Sequence, residues 1–176
     1  MTPRGETVTG RENLIHVPAD DGDGVWIGGT LHTVKAGTAT TSGSLSFLQL
    51  TVSPGDGPPP HIHTGEDETL YILSGEFEFF SAGRTFAATA GDLVHVPRGT
   101  LHGVRNVGES TARALTIYTP GGMDRYFTAV GTPEGLPGAG PAPLSPEQLR
   151  AAVEQAPAHG LIIPPPPDGG PPPPPR

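Results

Sequence analysis

The chain is predicted to fold as an all-β domain of antiparallel strands, and three observations carry that prediction. Short apolar or alternating runs separated by Gly, Pro and Asp recur from residue 25 to residue 119. Helical 3.6-residue spacing is scarce over the same stretch. Glycines stand where tight turns need a positive φ, in "LSGEF" and "SAGR".

Taken in order, the runs predict strands at 25–27, 31–35, 45–53, 69–73, 76–81, 84–87, 93–96, 101–106 and 112–119. Ser74-Gly75 and Ala82-Gly83 are each read as the turn of a tight hairpin. Short strands at this spacing form a sandwich or a closed barrel, the jelly roll among them, and periodicity alone does not choose between these. Two helices are predicted after the strands. "GGMDRYFTAVG" places Met123, Tyr126, Phe127 and Val130 at 3/4 spacing, and "LSPEQLRAAVEQA" opens with Ser145 as cap, Pro146 at the first helical position and Gln148 at capping-box spacing. The first suits either a lid over a barrel mouth or a cover for a sheet edge; the second suits an edge cover.

At 176 residues the chain is long enough for one domain with its own core. The organisation read from composition is a flexible N-terminus at 1–13, the packed domain at 14–130, an extension with a short helix at 131–163, and a disordered proline-rich tail at 164–176. There is no cysteine, so a metal would be held by His, Asp or Glu. A net charge of −8 with Lys35 as the single lysine argues against nucleic acid and anionic membrane surfaces. Neither a signal-peptide core nor an apolar run long enough to span a bilayer is present, which gives a soluble, cytoplasmic expectation. No GxSxG elbow, phosphate-binding lysine loop or dinucleotide fingerprint occurs, so hydrolase, nucleotide and nicotinamide chemistry have no support.

The residues that carry chemistry lie in "GDGPPPHIHTGEDETLYILSG". His61 and His63 are two apart, so on an extended strand both imidazoles share a face. Glu68 follows at a distance that a short turn can fold back. By itself such a histidine pair is more often a surface loop than a metal site. Its context is specific: Gly55, His61, His63, Glu68 and Gly75 form G-x5-H-x-H-x4-E-x6-G, and Gly91, Pro97, Gly99, His102 and Asn106 form G-x5-P-x-G-x2-H-x3-N. From the chain's own residue frequencies each pattern has a chance occurrence of roughly one in a few thousand.

These two patterns match both signatures of the cupin superfamily, and the chain resembles a single-domain cupin. The resemblance implies a double-stranded β-helix, the jelly-roll barrel, with one or two short C-terminal helices. It implies a metal held inside the barrel by His61, His63, Glu68 and His102, and a 15-residue spacer that fits one hairpin pair. Three imidazoles and a carboxylate suit Fe, Ni, Mn, Co, Cu or Zn, and in an octahedron leave two positions for substrate and for water or dioxygen. Gly55, Gly75, Gly91 and Gly99 are expected at turns, Pro97 at the entry to the strand bearing His102, and Asn106 in a structural hydrogen-bonding role. Glu66 is placed in the turn and Asp67 on the opposite strand face, His95 points away, and His16, His32 and His159 have no partner pattern.

The stretch from Val25 to Gly131 further resembles single-cupin proteins grouped with bacterial quercetin 2,3-dioxygenases. That resemblance implies a dioxygenase in which the metal binds a flavonol hydroxyl, Glu68 takes its proton while remaining a ligand, and the heterocycle is cleaved with release of carbon monoxide. Proteins of this class also act as cyclases, isomerases, epimerases, decarboxylases or hydratases, and some cupins only bind small molecules. Residue type and strand parity suit Phe47, Leu70, Ile72, Val104, Ile117, Met123 and Phe127 to an apolar lining for a flat aromatic or polyketide-like ligand, though each taken singly reads more readily as plain core. Gln49 is read either as facing the lumen, to orient substrate or water, or as facing outward. Long edge strands, and the dimers by strand exchange or sheet packing that the resemblance implies, lead to an expected homodimer.

Overall fold

The computed structural model describes residues 14–165; the segments read as a flexible N-terminus, and all but the first two residues of the proline-rich tail, lie outside the described residues. Nine strands occur where the sequence places them: β1 (Asp23–Ile27), β2 (Thr30–Ala36), β3 (Ser46–Val52), β5 (Asp67–Ser74), β6 (Glu76–Ser81), β7 (Arg84–Thr89), β8 (Leu93–Val96), β9 (His102–Asn106) and β10 (Ala112–Thr119). Three two-residue strands were not legible: β4 (Ile62–His63), β11 (Thr132–Pro133) and β12 (Leu161–Ile162). Helix α1 (Met123–Val130) and helix α2 (Pro146–Gln155) are present, and the Ser145/Gln148 capping box is complete, which satisfies two otherwise unpaired N–H groups.

The strands form an antiparallel double-sheet barrel, the cupin jelly roll. One sheet runs β11-β1-β2-β3-β10-β5-β8, the second runs β7-β6-β9, and β12 pairs with β4. In β3 and β10 burial alternates residue by residue, as a half-covered strand requires: Ser46, Leu48, Leu50 and Val52 point inward, as do Ala112, Ala114, Thr116 and Tyr118. Leu50, Val52, Leu70, Ile72, Phe77, Phe79, Ala88, Ala112 and Ala114 pack one end of the lumen. At the other end Val25, Leu48, Tyr118, Met123, Tyr126, Phe127, Ala156 and Leu161 join, so α1, the 3-10 turn at Ala156–His159 and β12 close that mouth. Along β10 the polar Thr116 separates the two clusters, and the functional site lies at its level.

Two expectations are corrected. Ala82-Gly83 does turn a hairpin between β6 and β7, but Ser74-Gly75 does not, because β5 and β6 belong to different sheets. Gly75 is a corner at which the chain crosses between sheets. Its φ is +86° and a Cβ there would lie 2.5 Å from the Cβ of Ala112, so the glycine serves close approach as well as backbone freedom. Strand parity corrects the second: Phe47, Gln49 and Ile117 lie on the outer face of the large sheet, one residue out of phase with Leu48, Leu50, Thr116 and Tyr118. No helix among the described residues is long and apolar enough to cross a membrane.

Candidate metal centre

Three separate backbone devices bring the four ligands together. The proline run ends in an isolated bridge between His61 and His102, whose backbones exchange N–H···O bonds of 2.7 and 3.0 Å, so the two imidazoles leave directly opposed positions. His63 sits on β4, held from one side by Leu161 of β12 and by the Gly99 N–H donating to its carbonyl at 2.7 Å. Glu68 stands on β5 opposite Tyr118 of β10 and Val96 of β8. Donor atoms of His61, His63, Glu68 and His102 all lie within 4.8 Å of one another, and all four residues are buried.

The hydrogen bonds around the cluster fix its protonation. Nδ1 of His61 lies 2.8 Å from the carbonyl of Pro59, and Nδ1 of His102 lies 3.0 Å from the carbonyl of Thr100. A carbonyl only accepts, so each Nδ1 carries a proton and each ring turns its Nε2 to the cluster. Nδ1 of His63 is 3.1 Å from Oε1 of Glu66. The Nε2 atoms of His61 and His63 then face each other at 3.1 Å, and the Nε2 of His102 and of His63 lie 2.8 and 3.3 Å from Oε2 of Glu68. Nitrogen and oxygen atoms converging at such distances, away from water, are a donor set that a cation can hold in place of the Nε2 protons. The residues therefore fit the metal that the fold implies.

Charge and burial act together here. Burial, then the neighbouring His102 and His63, push His61 down to about 3. Burial alone would also depress His63, but hydrogen bonds to Glu66 and Glu68 and their charges outweigh it and lift the ring to about 9. For Glu68 burial works upward, yet hydrogen bonding to His102 and His63 holds the carboxyl well below its usual range. Its other oxygen, Oε1, accepts from Thr116 Oγ1 at 3.1 Å and from the Tyr118 hydroxyl at 2.8 Å.

The structure thus unites the four ligands predicted from the two motifs. Leu70, Ile72, Val104, Met123 and Phe127 do face the interior, whereas Phe47, Gln49 and Ile117 do not. Asn106 is buried and structural, donating to the carbonyls of Val52 and Ser110 and accepting from the Gly108 N–H. His95 faces outward against Thr69, and Asp67 pairs with Arg98 on the surface. Sequence reasoning missed Glu66 as a partner of His63, and missed Thr116 and Tyr118. Strand parity held the signal for the last two, since both share Glu68's side of the barrel.

Fold and site together are similar to those of cupins. Residues 48–118 match the family described as Cupin domain. Within the curated proteins the chain is 28% identical over 113 residues to the quercetin 2,3-dioxygenase of Bacillus subtilis, covering 64% of this chain and 33% of that one. It is 33% identical over 95 residues to the Streptomyces cyaneus protein named polyketide synthase CurC, covering 53% and 60%. The chain spans between about a third and three fifths of these relatives. A solved structure of a predicted oxalate decarboxylase from Thermotoga maritima superposes with a TM-score of 0.56 at 22% identity, covering 60% of this chain and 98% of that one, and supports the fold.

Proposed function

We propose that the protein is a metal-dependent cupin enzyme, a quercetinase-like dioxygenase acting on an aromatic or polyketide-like small molecule. The observation that carries this reading is the buried set of three imidazoles and one carboxylate, with Nε2 of His61 and His102 turned to the cluster by their Nδ1 partners. A divalent ion of Fe, Ni, Mn, Co, Cu or Zn held by His61, His63, Glu68 and His102 would supply Lewis acidity, and the redox-active ones electron transfer with dioxygen. Glu68, held ionised, is the group placed to accept a proton from a substrate hydroxyl while its Oε1 stays anchored by Thr116 and Tyr118. Leu70, Met123 and Phe127 supply apolar contact above and below that level.

Similarity to a polyketide synthase component favours a second reading, a non-redox cyclase, isomerase, epimerase or decarboxylase in natural-product biosynthesis. Elemental analysis of the purified protein followed by an oxygen-electrode assay with flavonols separates the two. Oxygen consumption that depends on the bound metal supports the dioxygenase; full turnover with zinc and no oxygen uptake would overturn it.

We further propose a homodimer formed through the outer face of the large sheet. Tyr71, Leu73 and Leu93 are exposed there beside the half-buried Phe47, Leu115 and Ile117, which gives an apolar surface interrupted by Gln49, Thr69 and His95. Light scattering of wild type and Leu93→Arg tests it: a wild-type monomer, or a variant that remains dimeric, would remove this face from the proposal.

A further inference from the structure

The second lumen cluster contains one polar side chain outside the metal centre that the fold leaves unserved. His32 on β2 pairs in register with Val25 and Leu50, both buried, and its ring is buried with them on the inner face. Phe127 of α1 stacks on it at 4.4 Å and 25°. The same phenyl ring lies 5.9 Å from that of Tyr118, whose hydroxyl reaches Glu68. Among the described residues the Nδ1 of His32 is buried with no hydrogen-bond partner of normal geometry; the backbone of Thr30 approaches the ring as a weak hydrogen-bonding neighbour. Burial lowers the ring to about 4, so it stays neutral at physiological pH.

A buried polar atom without a partner is rare and unfavourable in native proteins, and folds retain one where a ligand or water completes it. Water fits poorly here, because an enclosed water needs two to four polar partners and, besides the Thr30 backbone, the neighbours named are the apolar Val25, Leu50 and Phe127. A neutral imidazole offers one N–H and one bare nitrogen, and a hydroxyl can meet either. We infer that His32 is a substrate-positioning residue whose Nδ1 takes its hydrogen bond from, or gives it to, a hydroxyl of a hydroxylated aromatic ligand lying between it and the metal centre. This rests on the proposed small-molecule reading of the site. Because the ring is covered, entry of such a ligand requires α1, which carries Phe127, to move.

Metal-loaded wild type, His32→Phe and His32→Gln are compared for metal content, melting temperature without ligand, and affinity for quercetin and for salicylate by calorimetry. The expected result for His32→Phe is unchanged metal content, an equal or higher melting temperature, and at least about ten-fold weaker binding of whichever probe wild type binds, with part of the affinity restored in His32→Gln. A lower melting temperature in His32→Phe would show a structural partner and overturn the inference. So would unchanged affinity, or a wild type that binds neither probe. Oxygen uptake with affinity indifferent to His32 removes this inference alone; His32-dependent binding without oxygen uptake removes the dioxygenase reading alone.

Discussion

The hydroxyl of Tyr118 donates to Oε1 of Glu68 at 2.8 Å, while Oε2 of the same carboxylate faces the imidazoles of His102 and His63. The carboxylate is thereby divided between a structural oxygen and a ligating one. Partners of this kind orient a ligand and set its basicity, and their loss commonly lowers metal affinity 10- to 100-fold. Tyr118→Phe keeps the ring that packs against Phe127 and removes only the donor. Metal affinity by chelator competition is expected to fall by about ten-fold with Thr116 as the remaining anchor. Unchanged affinity would mean that Glu68 needs no such orientation.

Glu66 plays the corresponding part for His63, and its carboxylate is buried although it lies in the turn. Glu66→Gln keeps the shape and an acceptor but removes the charge. A loss of metal affinity on the order of ten-fold is expected, again by competition. An effect as small as that of replacing exposed Glu109 would assign Glu66 to the surface turn alone.

The strap formed by β12 against the ligand strand gives a contrast between adjacent residues. Leu161 is buried and pairs with His63, whereas Ile162 is 47% exposed and pairs with Ile62. Leu161→Ala should cost about 2–5 kcal/mol in urea unfolding of the metal-loaded protein. Ile162→Ala should cost less than about 1 kcal/mol. Equal costs would mean that the strap is held by its backbone pairing and not by the core.

His32 also gives a pH signature. Its folded value near 4 lies below the ordinary 6.5, with burial the cause and the Thr30 backbone, then the charge of Glu68, opposing it in part. The unfolded chain therefore takes up a proton first as pH falls. Stability is complete above about 6.5 and is lost between there and about 4, by roughly 3 kcal/mol in total. The stability difference between His32→Phe and wild type should shift in favour of the variant over that window, with metal loss common to both. A constant difference from pH 7 to pH 4.5 would contradict a buried neutral imidazole.

Much of this was present in the residue order. Alternation of apolar and polar residues located nine strands, because a half-buried strand must alternate, and the Ser145/Gln148 spacing located a helix start whose chemistry is local. Four ligands followed from two spaced motifs. What failed were matters of partner and phase. Gly75 was correctly placed at a reversal, but nothing local tells a hairpin from a corner between sheets. Phe47 and Ile117 fall outside the lumen expected for them because a one-residue error in parity moves a side chain to the other face, and of the two readings of Gln49 the outward one holds.

The sequence by itself determined the strand pattern and the helix cap, which depend on nearby spacing, and through two spaced motifs that resemble those of cupins it pointed to His61, His63, Glu68 and His102 as candidate ligands. Tertiary structure alone decided that Glu66, Thr116 and Tyr118 orient those ligands, that β12 straps the strand bearing His63, and that His32 is buried without a partner. Each of these joins residues or surfaces that only folding brings within hydrogen-bond or packing distance, and such contacts leave no local period to read.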